Sequence, residues 1–395
     1  MVITFVSNYI NHHQIPFCRE MAGYGKDVEF HFIQTMPMEQ KRIDMGWAVD
    51  PKDYPFVSLY YEDRDTCEKL ILESDVTIFG WSEGTVSDLE AKRLSSGKLS
   101  FRVSERIYRE GQWKMITPRG LINKYKEHIR YRNKPVYLLC SGAYVASDFS
   151  LIGSYPGKML KWGYFPVGAV AQEKRKVSYP VRICWAGRLI ELKHPEFAVG
   201  LAEKLKEVGY EFKMDIVGDG PMRYKLEREV ADKGIDNMVT FAGGKKPAEV
   251  LEYMKTADIF IFTSNYLEGW GAVVNEAMSC GCAVVASEEA GAVPFLIENG
   301  VNGYTYAKGD YFDFYNKVLL LFEDRDKILE FGDKAKETIS KLWNPRRAAN
   351  ELIRFCSEFL SGQDPVPSAE GPMSAAKIIK PAGFLRSLQE KNRLE

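Results

Sequence analysis

The stretch Ile259–Ser287, IFIFTSNYLEGWGAVVNEAMSCGCAVVAS, decides how the chain is read. Ile259–Thr263 is a short, continuous apolar run of the kind that fills a strand buried on both faces. After a polar loop and two glycines, Ala272–Cys280 repeats its apolar residues at helical spacing, and Gly281 supplies the stop. Cys282–Ser287 is a second apolar run. Strand, loop, helix and strand in this order form a βαβ unit, whose strands are parallel.

The same alternation continues on both sides. Upstream, Val181–Gly187 reads as a strand and Pro195–Val208 as a helix ending at Gly209. Glu211–Val217 follows as a strand, Pro221–Lys233 as a helix closed by Gly234, Val239–Phe241 as a short strand and Pro247–Thr256 as a helix. A β-α period of roughly 25 residues predicts a doubly wound parallel sheet. The N-terminal half shows the pattern less cleanly. Val2–Ser7, Val28–Gln34, Val76–Trp81, Val136–Cys140 and Lys161–Phe165 read as strands, Lys98–Ile107 as strand-like, and Arg119–Arg132 as a basic helix. A polar, Pro-bracketed stretch at Pro166–Pro180 separates the halves. Asp310–Phe331 and Asn344–Leu360 read as amphipathic helices. The expected organisation is an N-terminal domain over 1–168, a C-terminal domain over 178–343, a further helix over 344–362, and a loosely held tail over 363–395. Within that tail, Lys377–Arg393 is basic and amphipathic, which suits either a solvated segment or a membrane or partner contact.

Composition narrows the function classes. The 395 residues carry 53 Lys+Arg against 54 Asp+Glu, a net charge of −1. A general nucleic-acid binder would need a basic surplus, so no nucleic-acid partner is expected. With 45% hydrophobic and 27% charged residues, global disorder is excluded. The seven cysteines are odd in number and dispersed without a CxxC pair, which reads as reduced, buried thiols in a cytoplasmic protein. Cys280 and Cys282 sit at a helix–strand junction and read as core. The opening MVITFVSNYI lacks the basic n-region of a signal peptide, and no window reaches the roughly 18 apolar residues of a membrane span. Peripheral attachment at the inner membrane surface stays open.

The loop and helix inside the opening stretch carry the chemistry. Ligands of doubly wound sheets bind beyond the carboxyl ends of strands. Gly269 and Gly271 let the backbone approach an anion, and the amides of Ala272 and Val273 sit at a positive helix start suited to phosphate. Glu276, one turn on, is placed for a ribose diol, and Glu268, before the turn, for another part of the ligand. The plain alternative is a surface helix residue and a loop charge. Arg188 and Lys193 leave the carboxyl end of strand Val181–Gly187, where a guanidinium fork and a mobile ammonium could hold a diphosphate. An ion pair from Arg188 to Glu191 is the competing reading. Gly218, in Val217-Gly-Asp-Gly-Pro221, and Gly243, in Phe241-Ala-Gly-Gly244, end neighbouring strands on the same edge. Asp63-Arg-Asp65 and Asp324-Arg-Asp326 read as solvated charge clusters, and no metal site is expected.

Taken in order, GRL with a following Lys, VGDGP, the F-x-G strand end and E-G-W-G-x4-E resemble the successive marks of retaining GT-B glycosyltransferases of family 4, glycosyl transferases group 1. The resemblance is strong over Val181–Asp310 and looser before it, where SNYINHHQ, FRVSERIYREG and KWGYFP look like elements of polysaccharide-assembly members. It implies two Rossmann-like domains facing across a cleft, the acceptor held mainly in the first and the donor in the second, with Asn344–Leu360 crossing back to the first. It implies a metal-independent hexosyltransferase-type enzyme (EC 2.4) that moves a sugar from a UDP- or GDP-linked donor and keeps the anomeric configuration. Carried over, Arg188 and Lys193 would hold the donor diphosphate, Glu276 the ribose and Glu268 the transferred sugar. Gly271, Ala272 and Val273 would offer backbone amides.

In the first half, His12-His13-Gln14 follows the first strand and would line the cleft. Either imidazole suits an acceptor hydroxyl or a donor phosphate and could serve in proton transfer. Packing or capping is the alternative. Glu105 resembles a cleft-facing position and would orient the acceptor nucleophile; a salt bridge to Arg102, Arg106 or Arg109 explains it as well. Glu83 is a third candidate. Acceptors compatible with this reading are a sugar, a lipid-linked sugar or a small molecule, and the basic run Lys124–Arg132 suits an anionic lipid-linked acceptor or a solvated face. Two rival functions share the architecture: a sugar-nucleotide epimerase or hydrolase, and a non-catalytic glycosyltransferase-like binding protein.

Overall fold

Thirteen strands form two all-parallel sheets in the computed structural model, which describes residues 1–82, 84–109, 111–112, 118–166, 176–307 and 310–379. The first sheet contains β1 (Val2–Ser7), β2 (Glu29–Gln34), β3 (Val57–Leu59), β4 (Val76–Phe79), β5 (Ser100–Ser104), β6 (Val136–Ser141) and β7 (Met159–Trp162), ordered β3-β2-β1-β4-β5-β6-β7. The second contains β8 (Val181–Ala186), β9 (Phe212–Val217), β10 (Val239–Gly243), β11 (Ile259–Phe262), β12 (Ala283–Ser287) and β13 (Tyr304–Tyr306), ordered β10-β9-β8-β11-β12-β13. Both run outward from their first strand, turn back and continue on its other side, which is the doubly wound pattern.

The described residues divide into two compact units, one drawn from 1–108, 112–166 and 343–379, the other chiefly from 176–342. The second unit's core lies where β8, β9 and β11 meet their covering helices, with Ile183, Trp185, Phe197, Leu201, Ile216 and Ile261 all buried. In the first unit Val6, Ile33, Phe79, Leu138, Cys140 and Phe149 fill the corresponding place. Continuous burial along the strands is what helices on both faces of a parallel sheet produce.

Two expectations need correction. The run Asp310–Phe331 is two helices, Tyr311–Glu323 and Asp326–Glu337, because Asp324 leaves helical geometry at φ −128°, ψ 87°. The tail is not loosely held over 363–379. Lys161 donates its amide to Ser374 at 2.7 Å, Met373 and Ala376 donate to Lys161 and Met159, and Met373 is fully buried. The segment thus hydrogen-bonds along β7, satisfying an edge that would otherwise be open. Residues 380–395 lie outside the described residues. The helix Pro345–Leu360 belongs to the first unit. Asn344 caps it by accepting the Arg347 amide at 2.8 Å, and Phe355 packs on Phe101 and Tyr137.

Candidate functional site

In the second unit the strand order reverses between β8 and β11, and the loops leaving these two strands carry most of the expected donor residues. Lys193, after β8, and Glu268, after β11, form a direct ion pair whose side chains are 14% and 15% exposed. The sequence assigned them to different parts of a ligand; in the free protein each neutralises the other. The pair is braced from beneath. The Thr263 hydroxyl donates to the Lys193 carbonyl at 2.6 Å and accepts the Trp185 indole N–H at 2.8 Å.

Sequence reasoning passed over His194, which adopts the left-handed conformation at φ 44°. Its Nδ1 lies 2.6 Å from the Glu196 carboxylate and its Nε2 3.2 Å from the Asn265 side-chain nitrogen. An amide nitrogen only donates, so Nε2 accepts and Nδ1–H donates to Glu196. Asn265 accepts the Leu267 amide on its side-chain oxygen and the Glu268 amide on its carbonyl, both at 3.0 Å. Imidazole and amide together therefore tie the Lys193 loop to the Glu268 loop. The only sequence signal for this was a His, not a Gly, at the turn after Lys193.

Gly271 begins the helix Ala272–Ser279 at φ 93°, and a Cβ there would lie 2.7 Å from the Phe262 ring, so glycine is required on two counts. The first turn holds no carboxylate, leaving the Ala272 and Val273 amides facing an uncontested anion position. The preceding residue is fixed as well: the Trp270 indole donates to Asn275 at 2.8 Å, and its carbonyl accepts the Ala292 amide. Glu276 lies one turn on, half-buried, and burial pushes its carboxyl up to about 7.

Gly218 and Gly243 bridge to each other at the exits of β9 and β10. A Cβ on Gly218 would overlap the Gly187 carbonyl at 1.8 Å, and one on Gly220 would meet the Leu189 carbonyl at 2.5 Å. The Gly-Asp-Gly turn is thus a close backbone crossing that shapes the Arg188 loop. Arg188 itself is exposed, and among the described residues it makes no ion pair with Glu191 or any other acid.

The corresponding point of the first unit, between β1 and β4, has a different character. His12 and His13 follow β1 with ring centres 3.8 Å apart, and the Trp47 ring stands edge-on to both, at 4.8 and 5.5 Å. Tyr164 lies parallel to His13 at 5.5 Å and donates its hydroxyl to Glu105 at 3.0 Å, so it joins two expected acceptor residues. Arg102 and Arg106 are engaged by Glu90 and Asp148, which removes two of the three competing partners for Glu105. A pocket here is lined by His13, Trp81, Ser141, Trp162 and Tyr164. Both Nδ1 atoms of the histidines and the Ser141 hydroxyl are buried without a hydrogen-bond partner among the described residues. Burial lowers His12 to about 4 and His13 to about 3, the latter helped by His12 and Arg42, so both rings are neutral at pH 7. Trp47, Trp81 and Tyr164 were not singled out from sequence, since they converge from distant segments. Glu83 lies outside the described residues.

Elsewhere the side chains follow their structural readings. Asp63 caps the helix Arg64–Glu73 by accepting the Thr66 amide, and Asp324 pairs with Lys327. All seven cysteines are buried and free. Among the described residues no helix is long and apolar enough to cross a membrane.

Residues 170–338 match the family described as Glycosyl transferases group 1. Over 136 residues the chain is 35% identical to the amylovoran biosynthesis glycosyltransferase AmsK of Erwinia amylovora, covering 33% of each chain. Over 179 residues it is 26% identical to the putative colanic acid biosynthesis glycosyltransferase WcaL of Escherichia coli (strain K12), covering 44% of each. The chain thus spans between a third and a half of the length of these relatives. Among solved structures it is similar to Anabaena HepE in complex with UDP, with a TM-score of 0.66, 16% identity, and coverage of 92% of this chain and 100% of that one. The lipopolysaccharide outer core galactosyltransferase WaaB in its apo form gives 0.60 at 16% identity over 86% and 95%. These likenesses show the fold: two parallel-sheet, Rossmann-like domains of the GT-B type.

Proposed function

We propose that this protein is a retaining, metal-independent glycosyltransferase that moves a sugar from a UDP- or GDP-linked donor to an acceptor in polysaccharide or glycolipid assembly. The observation that carries the proposal is the Lys193–Glu268 pair at the β8–β11 exits, beside a carboxylate-free helix start at Gly271, Ala272 and Val273. The named relatives in amylovoran and colanic acid biosynthesis support the assignment to polysaccharide assembly.

In this reading the donor diphosphate takes the helix-start amides and becomes Lys193's partner, with Arg188 closing on its outer oxygens. Glu268 is then released to accept hydroxyls of the transferred sugar, while Glu276 ionises and accepts the ribose diol. As the bond from the anomeric carbon to phosphate breaks, its electron pair leaves with the diphosphate, where Arg188 and Lys193 stabilise the growing charge. The acceptor oxygen bonds to the oxocarbenium-like carbon on the face the phosphate leaves, and its proton passes to the departing phosphate oxygen. Glu105 orients the acceptor through its hydrogen bonds, and His12 and His13 contribute as neutral imidazoles.

Thermal unfolding against UDP-, GDP-, ADP- and dTDP-sugars tests the donor site. One nucleotide class at 100 times its dissociation constant should add about 2.7 kcal/mol. Arg188→Ala and Glu276→Ala should abolish that gain. No shift with any nucleotide, in folded protein, overturns the reading. Once the donor is known, transfer undiminished by EDTA and an unchanged anomeric coupling in the product test metal independence and retention.

A further inference from the structure

The helix Pro118–Glu127, PRGLINKYKE, contains no buried residue. Helices this short are marginal in water and draw their stability from an apolar face packed on something else. Here that face is bare: Leu121, Ile122 and Tyr125 are 42%, 57% and 58% exposed. At 3.6 residues per turn these three fall, with Pro118, within one arc of about 100°. Arg119 and Lys126 border the arc on one side and Lys124 on the other, while Glu127 points away at the back. Among the described residues, the helix is held at its carboxyl end. Buried His128 there lies 2.8 Å from the Tyr155 hydroxyl and 2.7 Å from the Arg102 guanidinium, and Tyr131 is buried beside it.

Charge decides what covers the stripe. Residues 118–134 carry Arg119, Lys124, Lys126, Arg130, Arg132 and Lys134 against the single acid Glu127, in a chain whose net charge is −1. Lys124 further neutralises that acid at 2.7 Å. An apolar stripe flanked by cations on both sides suits the boundary between anionic headgroups and acyl chains. Rings and branched side chains enter the hydrocarbon there, and long cationic stems reach back to phosphate. A second copy of this chain would bring the same cations against themselves.

We propose that Pro118–Glu127 seats the protein on an anionic lipid surface, with Leu121, Ile122 and Tyr125 inserted and Arg119, Lys124 and Lys126 on lipid phosphates. The proposal goes beyond the transfer reading and does not rest on it, because binding to lipid is measured without a nucleotide.

The test floats the full-length protein with vesicles of phosphatidylcholine alone, and with vesicles of equal parts phosphatidylcholine and phosphatidylglycerol. Binding is expected on the anionic vesicles only, weakening as salt rises. Each of Arg119→Gln, Lys124→Gln and Lys126→Gln should lower the partition coefficient about fivefold. The triple variant Leu121→Ser, Ile122→Ser, Tyr125→Ser should lower it by about tenfold or more. All these variants should keep the parent melting temperature, since none of the altered side chains is buried. Lys225→Gln, on an exposed helix of the second unit, should bind like the parent. Folded protein that ignores anionic vesicles overturns the proposal, as does a triple variant that binds them undiminished. Self-association of the parent that the triple variant abolishes would assign the stripe to a second copy and overturn it equally.

Discussion

The two units share a strand order up to the last strand, yet their switch points hold opposite chemistry. In the second, the β8 and β11 exits present two cations, two carboxylates and a bare helix start, built on a turn at Gly271 that admits no side chain. In the first, the β1 exit presents two uncharged imidazoles among three aromatic rings. The shared topology places a crevice in both, but only local sequence decides whether it suits a diphosphate or an uncharged ring with hydroxyls. Burial keeps both histidines neutral at pH 7, so toward a phosphate they offer hydrogen bonds rather than positive charge.

The largest effects should fall on the second unit. Lys193→Ala removes the cation that the proposed function sets against the departing diphosphate, and it strands a half-buried Glu268. Transfer should fall about 10³-fold, and donor-induced thermal stabilisation should vanish. His13→Phe keeps the ring packing and removes the polar nitrogens. It should lower transfer only about 10–100-fold through the acceptor's KM, with donor binding intact. If His13→Phe abolishes donor binding instead, the division of labour between the units fails. Gly271→Ala should cost about 2–4 kcal/mol in denaturant unfolding, because it adds left-handed strain to a clash with Phe262.

Acid and base should also separate the units. His12 and His13 are held at about 4 and 3 when folded, below the ordinary 6.5. Between these values the unfolded chain binds more protons, so their contribution to stability is lost as pH falls from about 6.5 toward 3. Glu276 runs the other way. With its folded value at about 7 against 4.5, its contribution is full below 4.5 and lost as pH rises through 7. Unfolding curves should therefore be less acid-sensitive in His12→Gln/His13→Gln, and less sensitive between pH 4.5 and 7 in Glu276→Gln. A nucleotide sugar that needs the ionised carboxylate should bind more tightly as pH rises through 7, and Glu276→Gln should flatten that trend.

The second unit was legible because β8, β11 and β12 are largely buried apolar runs, glycines close several of its helices, and its site residues fall within a few positions of strand ends. Only the short β13, Tyr304–Tyr306, escaped. The first unit hid more. The three-residue β3 and the charge-rich helices Arg64–Glu73 and Ser87–Ser95 lack a strong period, and the Lys161–Phe165 run overshoots the true strand, Met159–Trp162. Its pocket was hidden for another reason. Trp47, Trp81 and Tyr164 meet His13 only through the tertiary fold, and no local spacing announces them. The tail was misjudged because Pro, Ser and Gly describe flexibility in isolation, whereas an open strand edge supplies partners for exactly such backbone.

His194 offers the smallest stability effect and the sharpest test of how the proposed donor site is held. A non-glycine residue at φ 44° carries strain that glycine would relieve, so His194→Gly gains backbone freedom while losing the bonds to Glu196 and Asn265. The relieved strain and the two lost hydrogen bonds, each about 1 kcal/mol, should leave global stability within about 1 kcal/mol of the parent. The site should respond more strongly. With the imidazole gone, one of the ties between the Lys193 and Glu268 loops is lost, and donor affinity should fall about tenfold, corresponding to about 1.4 kcal/mol. His194→Asn, which tolerates the left-handed region and keeps a polar side chain, should recover part of that loss. A purely structural role predicts the reverse ranking: unfolding would move and donor binding would not. Donor titration of the two variants beside their unfolding curves separates a clamp on the site from a turn that merely connects a strand to a helix.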